Sequence, residues 1–284
     1  VGCASGGRTH SRGVRLSFLP RNASTVMLLR DGQRGVEVFL MRRVTQMKFG
    51  AGMHVFPGGR LDARDADTSV PIVGTPDPRV SQGDVALARE LLVCAVRETF
   101  EESGVLLASG AEVLRAASDA NRMTVDAGGS LSAVLNDHQV SIPADDIPIW
   151  GHWVTPEFQT RRFDTRFYVV ELPDGQEPKD VSGESDGAIW VRPEDGLRQR
   201  YAGEMPMMIP TATTLSELSK FSCVAEVLTE ARRRVIQPLL PFQDPDTSQW
   251  TLLHAYERSE VDYESKEFIL DQVDAVKKGL VAGE

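Results

Sequence analysis

Arg97, Glu98, Glu101 and Glu102, all within "AVRETFEESGVLLA", are the residues of this chain best placed by type and spacing to do chemistry. On a helix, at about 100° per residue, the three carboxylates fall in one arc with Arg97 beside it, while Leu92, Val96, Thr99 and Phe100 fall on the other side. Such an arc has two readings. Glutamate is a good helix former, and clustered acids are commonly a solvated face. Yet like charges at i,i+4 repel by a few tenths of a kcal/mol, and acids in a C-terminal turn oppose the helix dipole. A divalent cation removes both penalties, because a hard ion such as Mg2+ takes carboxylate oxygens and commonly sits against phosphates. The spacing favours a metal site over a solvated face.

The arc needs a helix with a start and a stop, and Asp84 as N-cap and Gly104 at C′ supply them. Upstream, "STVMLLRDGQRGVEVFLMRR" predicts a hairpin whose turn starts at Asp31-Gly32. "KFGAGMHVFPGGRLDARDAD" breaks regular structure, and Gly58-Gly59 lets backbone approach something closely. Residues 66–82 read as an inserted surface loop, "GVLLA" as a short buried strand, and 109–145 as a small helical insert. "IPIWGHWVT", "RFYVVEL" and "AIWV" read as strands, and "RPEDGL" starts a short helix. Thr213 to Val235 reads as one or two helices broken by Pro238 and Pro241, and Ile269, Val273, Val276 and Leu280 keep amphipathic helical spacing. The expected class is α/β (α+β), a mixed sheet sandwiched between helices. The expected organisation is a flexible leader over 1–20, one domain over 21–242 and a C-terminal extension over 243–284.

The formal net charge of −10 argues against general affinity for nucleic acid or an anionic membrane, so an anionic substrate must meet local cations or a metal. Cys3, Cys94 and Cys223 are too scattered for a disulfide framework or zinc ligation, which points to a reducing, cytoplasmic setting. No apolar run approaches the ~20 residues of a membrane span, and "VGCASGGRTHSRG" lacks the apolar region of a signal peptide.

With these motifs in view, the chain resembles the Nudix hydrolases. Their signature runs Gly, five residues, an acid, seven residues, Arg-Glu, an apolar residue, any residue, Glu-Glu, any residue, Gly and an apolar residue. "RETFEESGV" supplies the second half, with Thr99 in place of the apolar residue. In the first half Gly59 is followed after five residues by Asp65 rather than Glu, and the gap to Arg97 is expanded by an insertion. The acid that braces Arg97 is therefore open between Asp65 and Glu90. "FPGG" directly before the acid, "WVRPED", "HWVTPEFQTRRFDTRFYVV" and the split signature look like the branch holding the mammalian coenzyme A diphosphatases of the nineteenth-member type. The resemblance runs from about Ser24 to about Phe242.

That resemblance implies hydrolysis of a diphosphate linking a nucleoside to another group. Glu98, Glu101 and Glu102 would hold Mg2+ or Mn2+, with the Gly59 backbone carbonyl as a further ligand, and Arg97 would orient the carboxylates. The general base would come from the signature helix or from a downstream loop, where Glu184 is the candidate and a solvated glutamate is the other reading. Arg43, Lys48, Gly52 and Phe56 partly match a coenzyme A motif, with Lys48 where Arg is usual, and Gly58 belongs to the same loop region. Arg43 and Lys48 are the candidate cations for a 3′-phosphate, and the helical insert is a candidate channel for the pantetheine arm. Arg162 in "RRFDT" is a substrate contact or the partner of Asp164 in an ion pair, and His54 and His152 read as structural polar residues. The expected partner is a small-molecule nucleotide, with a homodimer left open. The first expectation is cleavage of coenzyme A or its acyl esters to 3′,5′-ADP and 4′-phosphopantetheine. ADP-ribose, NADH or a nucleotide sugar comes second. A binding or regulatory module without catalysis is the alternative of another class, and it would show damage among the glutamates, of which none is visible.

Overall fold

The computed structural model describes residues 19–46, 50–156, 159, 161–181, 183–243 and 250–254. The hairpin forms as β1 (Arg21–Gly32) and β2 (Gly35–Arg43). Gly32 pairs with Gly35, so Asp31 and Gly32 stay in the ladder and the turn falls on Gln33 and Arg34. Then come β3 (His54–Val55), β4 (Gly58–Arg60), β5 (Ile72–Val73) and the long helix α1 (Val85–Ser103). The insert supplies α2 (Val113–Ala116), α3 (Asp119–Asp126) and α4 (Leu131–Asp137), followed by β6 (Ile142–Pro143). The second half contains β7 (Ile149–Val154), β8 (Phe163–Glu171), β9 (Ser185–Val191), α5 (Pro193–Tyr201), α6 (Ile209–Leu218), α7 (Val224–Arg233), β10 (Pro238–Gln243) and β11 (Trp250–His254).

Nine strands make one mixed sheet in the order β11-β10-β7-β8-β1-β2-β3, with β4 also on β1 and β9 also on β2. Side chains alternate across a strand, so β1 feeds two cores. Val26 and Leu28 enter a core shared with Leu92, Val96 and Phe100 of α1, whereas Met27 and Leu29 enter one shared with Leu215, Leu218 and Val227 of α6 and α7. Burial on both faces is why β1 reads as a continuous apolar run. The expected sheet between helical layers is what forms.

Three local expectations change. "GVLLA" is buried but is no strand: the Gln176 side-chain amide accepts from Leu106 N at 2.8 Å and donates to Leu106 O at 2.9 Å. One carboxamide presents the donor and acceptor of a neighbouring strand, so the run needs no sheet. The 66–82 tract is tied down, with Val70 and Val80 buried and Arg89 Nη2 donating to the carbonyls of Asp67, Thr68 and Val70. Pro238 and Pro241 do not merely end a helix; both lie in β10, which runs parallel to β7 and antiparallel to β11. Thr213 to Val235 resolves into the end of α6 and all of α7. The helical spacing from Ile269 to Leu280, and most of the leader, lie outside the described residues. Among the described residues no helix is long and apolar enough to cross a membrane.

Candidate active site

α1 begins and ends where its caps place it. Asp84 accepts from Leu87 N at 3.0 Å, and Gly104 takes φ 75° at the C-cap. A helix leaves its last four carbonyls without intrahelical donors. Here Phe100 O is met by Gly104 N at 3.0 Å, Glu101 O by Arg122 Nη1 at 3.3 Å, Glu102 O by Val181 N at 3.4 Å and Ser103 O by Lys179 N at 2.9 Å. Arg122 comes from α3, so the helical insert puts a cation at the helix end whose dipole favours one. Lys179 and Val181 belong to the loop that leads to Glu184. Thr99, at an apolar position of the signature, is buried and donates to Ala95 O at 2.7 Å, which satisfies its hydroxyl within the helix.

The glutamate arc is not a solvated face. Arg97 is 3 % exposed and Asp65 1 %, and they pair in a fork, Nε to Oδ1 at 2.7 Å and Nη2 to Oδ2 at 2.9 Å. Asp65, not Glu90, therefore braces Arg97 among the described residues. Asp65 is itself held by Asp62 N, which donates to Oδ2 at 2.8 Å. From that anchor Arg97 Nη1 reaches Glu98 at 2.8 Å and Glu101 at 3.1 Å. Arg64 binds the other Glu101 oxygen at 3.0 Å while donating to Val125 O of α3 at 2.7 Å. Glu102 accepts from Gly58 N at 2.8 Å. A Cβ on Gly59 would stand 2.5 Å from the Glu98 carboxylate, and one on Gly58 would strike the Ser24 carbonyl. These are the close backbone approaches for which "FPGG" keeps its glycines.

Burial is the main force on the acidity of all three glutamates. It raises Glu98 against the opposing charge of Arg97, pushes Glu101 up to about 7 with Glu98 adding to the effect, and pushes Glu102 up to about 8, again with Glu98 adding. Arg97 loses basicity to burial, but the hydrogen bond to Asp65 and the charge of Glu98 overcome that loss and raise it. A hard-oxygen donor set this short of positive charge fits a divalent cation. No group of three carboxyl, imidazole or thiol side chains converges as a finished shell among the described residues. Instead, Arg97 and Arg64 hold carboxylate oxygens that a cation would share.

The glutamates open on a cleft of about 1090 Å3, large enough for a nucleotide-sized ligand. Of the residues singled out from sequence, Glu98, Glu101, Glu102, Gly58, Gly59, Arg43, Phe56 and Glu184 line it. Arg97 lies beneath the lining as a brace. Arg43 Nη2 stands 3.9 Å from Glu184, and the Arg43 charge acts on Glu102. Gly52 does not line the cleft; its N–H donates to Arg43 O at 3.0 Å and shapes the approach to Arg43. Arg162 does not line it either, because strand parity sends Arg161, Phe163, Thr165 and Phe167 toward the cleft and Arg162 the other way, where its Nε donates to Thr155 O at 3.0 Å. Asp164 pairs with His152 and with Arg166 instead, and these bonds outweigh burial and lower its pKa. His54 sits on β3 with Nδ1 3.4 Å from Pro206 O, and burial lowers its pKa. Lys48 lies outside the described residues.

Sequence spacing does not single out Arg64, Arg122, Asp126, Arg161 or Arg200, of which Asp126, Arg161 and Arg200 line the cleft. Arg122 and Asp126 ride on the insert, so only tertiary docking brings them to α1. The one local hint is Arg64, inside "LDARDAD" beside the acid that braces Arg97.

A mixed sheet between helices, with an arginine-braced glutamate helix opening on a cleft, is the arrangement of a Nudix hydrolase, a class that generally uses divalent metal cations. More narrowly, the chain belongs to the NUDT19 Nudix domain family, whose model matches residues 74–218. It is similar to a Caenorhabditis elegans protein described as "Putative nudix hydrolase 7", 29% identical over 207 residues, covering 70% of this chain and 61% of that protein. It is also similar to the acyl-coenzyme A diphosphatase NUDT19 of Homo sapiens, 26% identical over 239 residues, covering 68% of this chain and 63% of that protein. The chain thus spans less than two thirds of the length of these curated relatives. Among solved structures, a Nudix hydrolase from Alicyclobacillus acidocaldarius superposes with TM-score 0.61 at 29% identity, covering 74% of this chain and 96% of that one. The family match starts beyond Gly59 and Asp65, and it is the contacts to Glu98 and Arg97 that join those residues to the helix.

Proposed function

We propose that this chain is a divalent-metal-dependent diphosphatase that cleaves coenzyme A or acyl-coenzyme A to 3′,5′-ADP and 4′-phosphopantetheine or its acyl form. The observation that carries this reading is the set Glu98, Glu101 and Glu102, gathered on one cleft wall against the Gly58-Gly59 backbone with their acidity suppressed by burial. Similarity to relatives named acyl-coenzyme A diphosphatases supports the substrate class.

Mg2+ or Mn2+ held by these carboxylates and the Gly59 carbonyl would supply charge neutralisation and Lewis acidity for attack of water on one phosphorus. Arg97, locked by Asp65, holds Glu98 and Glu101 in their orientation, as second partners of metal ligands do. Arg43, on the cleft wall, would bind diphosphate oxygens. Glu184, on an exposed loop at the cleft, would accept the proton of the attacking water. Val55, Phe56, Met207 and Met208 give the cleft an apolar wall suited to the pantetheine arm, while the helical insert adds Asp126 to the lining and no apolar side chain among the described residues. The described thiols Cys94 and Cys223 are unpaired, which suits a reducing, cytoplasmic setting.

The test is hydrolysis by the full chain, with Mg2+ or Mn2+, of coenzyme A, an acyl-coenzyme A, ADP-ribose, NADH and capped RNA. The expected result is the highest kcat/KM for coenzyme A or its ester, with 3′,5′-ADP released. Better turnover of ADP-ribose or NADH would overturn the substrate, and no metal-dependent turnover of any would overturn the enzyme reading.

A further inference from the structure

Arg200, at the end of α5, lines the same cleft as the glutamates. Its Nε is buried without a hydrogen-bond partner, and no ion pair is formed by its guanidinium among the described residues. The contrast with other arginines that are partly sunk in the fold is informative. Arg43 stands beside Glu184, Arg122 beside Asp126 and Arg192 beside Glu194. Arg200 has no such neighbour among the described residues; Tyr201 is the titratable group whose charge bears on it. No glutamate of the arc is among the charges that bear on Arg200, whereas Arg43 acts on Glu102. Gly203, whose N–H donates to Arg200 O at 3.0 Å, and Pro206 and Met207 a little further along the chain line the same cleft and carry no anionic side chain. Arg200 is only half-buried, yet its buried Nε is left without an acceptor, and a methionine would fill the same wall without that unmet group. The charge is accounted for if a ligand supplies the anion.

We propose that Arg200 forms an anion subsite for a phosphate monoester of the substrate, distinct from the place where the diphosphate is held. Resting on the coenzyme A reading, the monoester is the 3′-phosphate of the adenosine ribose. This moves that role from the pair Arg43 and Lys48, of which Arg43 stays with the diphosphate beside Glu184 and Glu102. A planar guanidinium donates in a fork to two phosphate oxygens, so the subsite reads geometry as well as charge.

The experiment pairs binding with turnover, on the full chain and its Arg200→Met, Arg200→Lys and Arg43→Met variants. Isothermal titration compares 3′,5′-ADP with 5′-AMP, which lacks the 3′-phosphate and needs no hydrolysis to be informative. The unmodified protein should prefer 3′,5′-ADP by about 10- to 100-fold. Arg200→Met should collapse that preference to within about threefold, Arg200→Lys should keep part of it, and Arg43→Met should keep most of it. The kcat/KM ratio of coenzyme A to 3′-dephospho-coenzyme A should change in parallel. Loss of Arg200 should not lower the melting temperature, because no partner among the described residues is lost. A preference unaltered in Arg200→Met, or lost equally in Arg43→Met, overturns the subsite. Failure of the unmodified protein to cleave either coenzyme, with the binding preference intact, overturns the proposed reaction and leaves the subsite standing.

Discussion

Replacing Asp65 by alanine should cost far more than an ordinary carboxylate would. The Asp65–Arg97 fork is nearly inaccessible to water, at 1 % and 3 % exposure, and both of its bonds are under 3 Å, at 2.7 and 2.9 Å. Removing one partner of a buried pair costs about 3–5 kcal/mol, because the other charge stays desolvated. Arg97 keeps Glu98 and Glu101 as neighbours, so the lower end applies, about 3 kcal/mol. Loss of the Asp62 N–H acceptor adds about 1 kcal/mol. Arg97→Ala should cost more than Asp65→Ala, since it strands three carboxylates. The double variant should be less destabilised than the two singles summed, with a coupling of about 2–3 kcal/mol. Urea unfolding of the metal-free protein gives these differences from midpoints at a shared slope, and the melting temperature of Asp65→Ala should fall by roughly 6–12 °C. A cost below about 1 kcal/mol, the worth of a surface pair, or additive singles would refute the claim that this fork anchors the glutamates.

Glu102→Gln or Glu101→Gln should cut turnover by orders of magnitude in a hydrolysis assay, while the metal-free melting temperature stays equal or rises. The pH dependence has a definite sign: the folded pKa values of Glu101, about 7, and Glu102, about 8, lie above the ordinary 4.5, so the folded state holds protons the unfolded chain releases. That stabilisation is full below about pH 4.5 and is lost as pH rises through 7 to 8, so thermal scans in chelator should show a decline that shrinks in the Gln variants. Adding Mg2+ or Mn2+ at about 100 times its Kd should stabilise the protein by about 2.7 kcal/mol, and an equal shift in Glu102→Gln would place the cation elsewhere. Gly59→Ala should leave the fold within about 1 kcal/mol, because the Glu98 tip can yield, but should abolish the metal-induced melting shift; a retained shift would remove Gly59 from the site.

Local pattern is what makes part of this molecule legible in its sequence. Helix caps at Asp84 and Gly104, the two β-rich runs that pair as the β1–β2 hairpin and the carboxylate arc all follow from local composition, period and turn chemistry, and the structure forms each of them. The misreadings share a cause. "GVLLA" looks like a strand because burial and β-branching are local, while the Gln176 amide that completes it lies 70 residues away. The arc reads as opposed to its helix dipole because the compensating Arg122 arrives from an inserted helix. "RRFDT" points to Arg162 rather than Arg161 because a short motif does not fix which face of a strand begins on which residue. Arg200 carries no motif, and its interest arises from the lack of a counter-ion among the described residues, which only packing reveals.

The closure of the α1 carboxyl end by Lys179 and Val181 links two parts of the cleft on a clock. Two backbone bonds, at 2.9 and 3.4 Å, hold the loop that brings Glu184 to the helix of Glu102. At about 0.5–1.5 kcal/mol each they amount to roughly 1–3 kcal/mol. A release costing that much leaves the loop detached for roughly 1–15 % of the time, enough to exchange its amide hydrogens long before the protein unfolds. The amides of Lys179 and Val181 would thus act as paired reporters of how often the proposed base leaves its post. Deuterium uptake at these two positions, followed with and without a bound nucleotide, would give the fraction of time the Glu184 loop is detached without a turnover being observed.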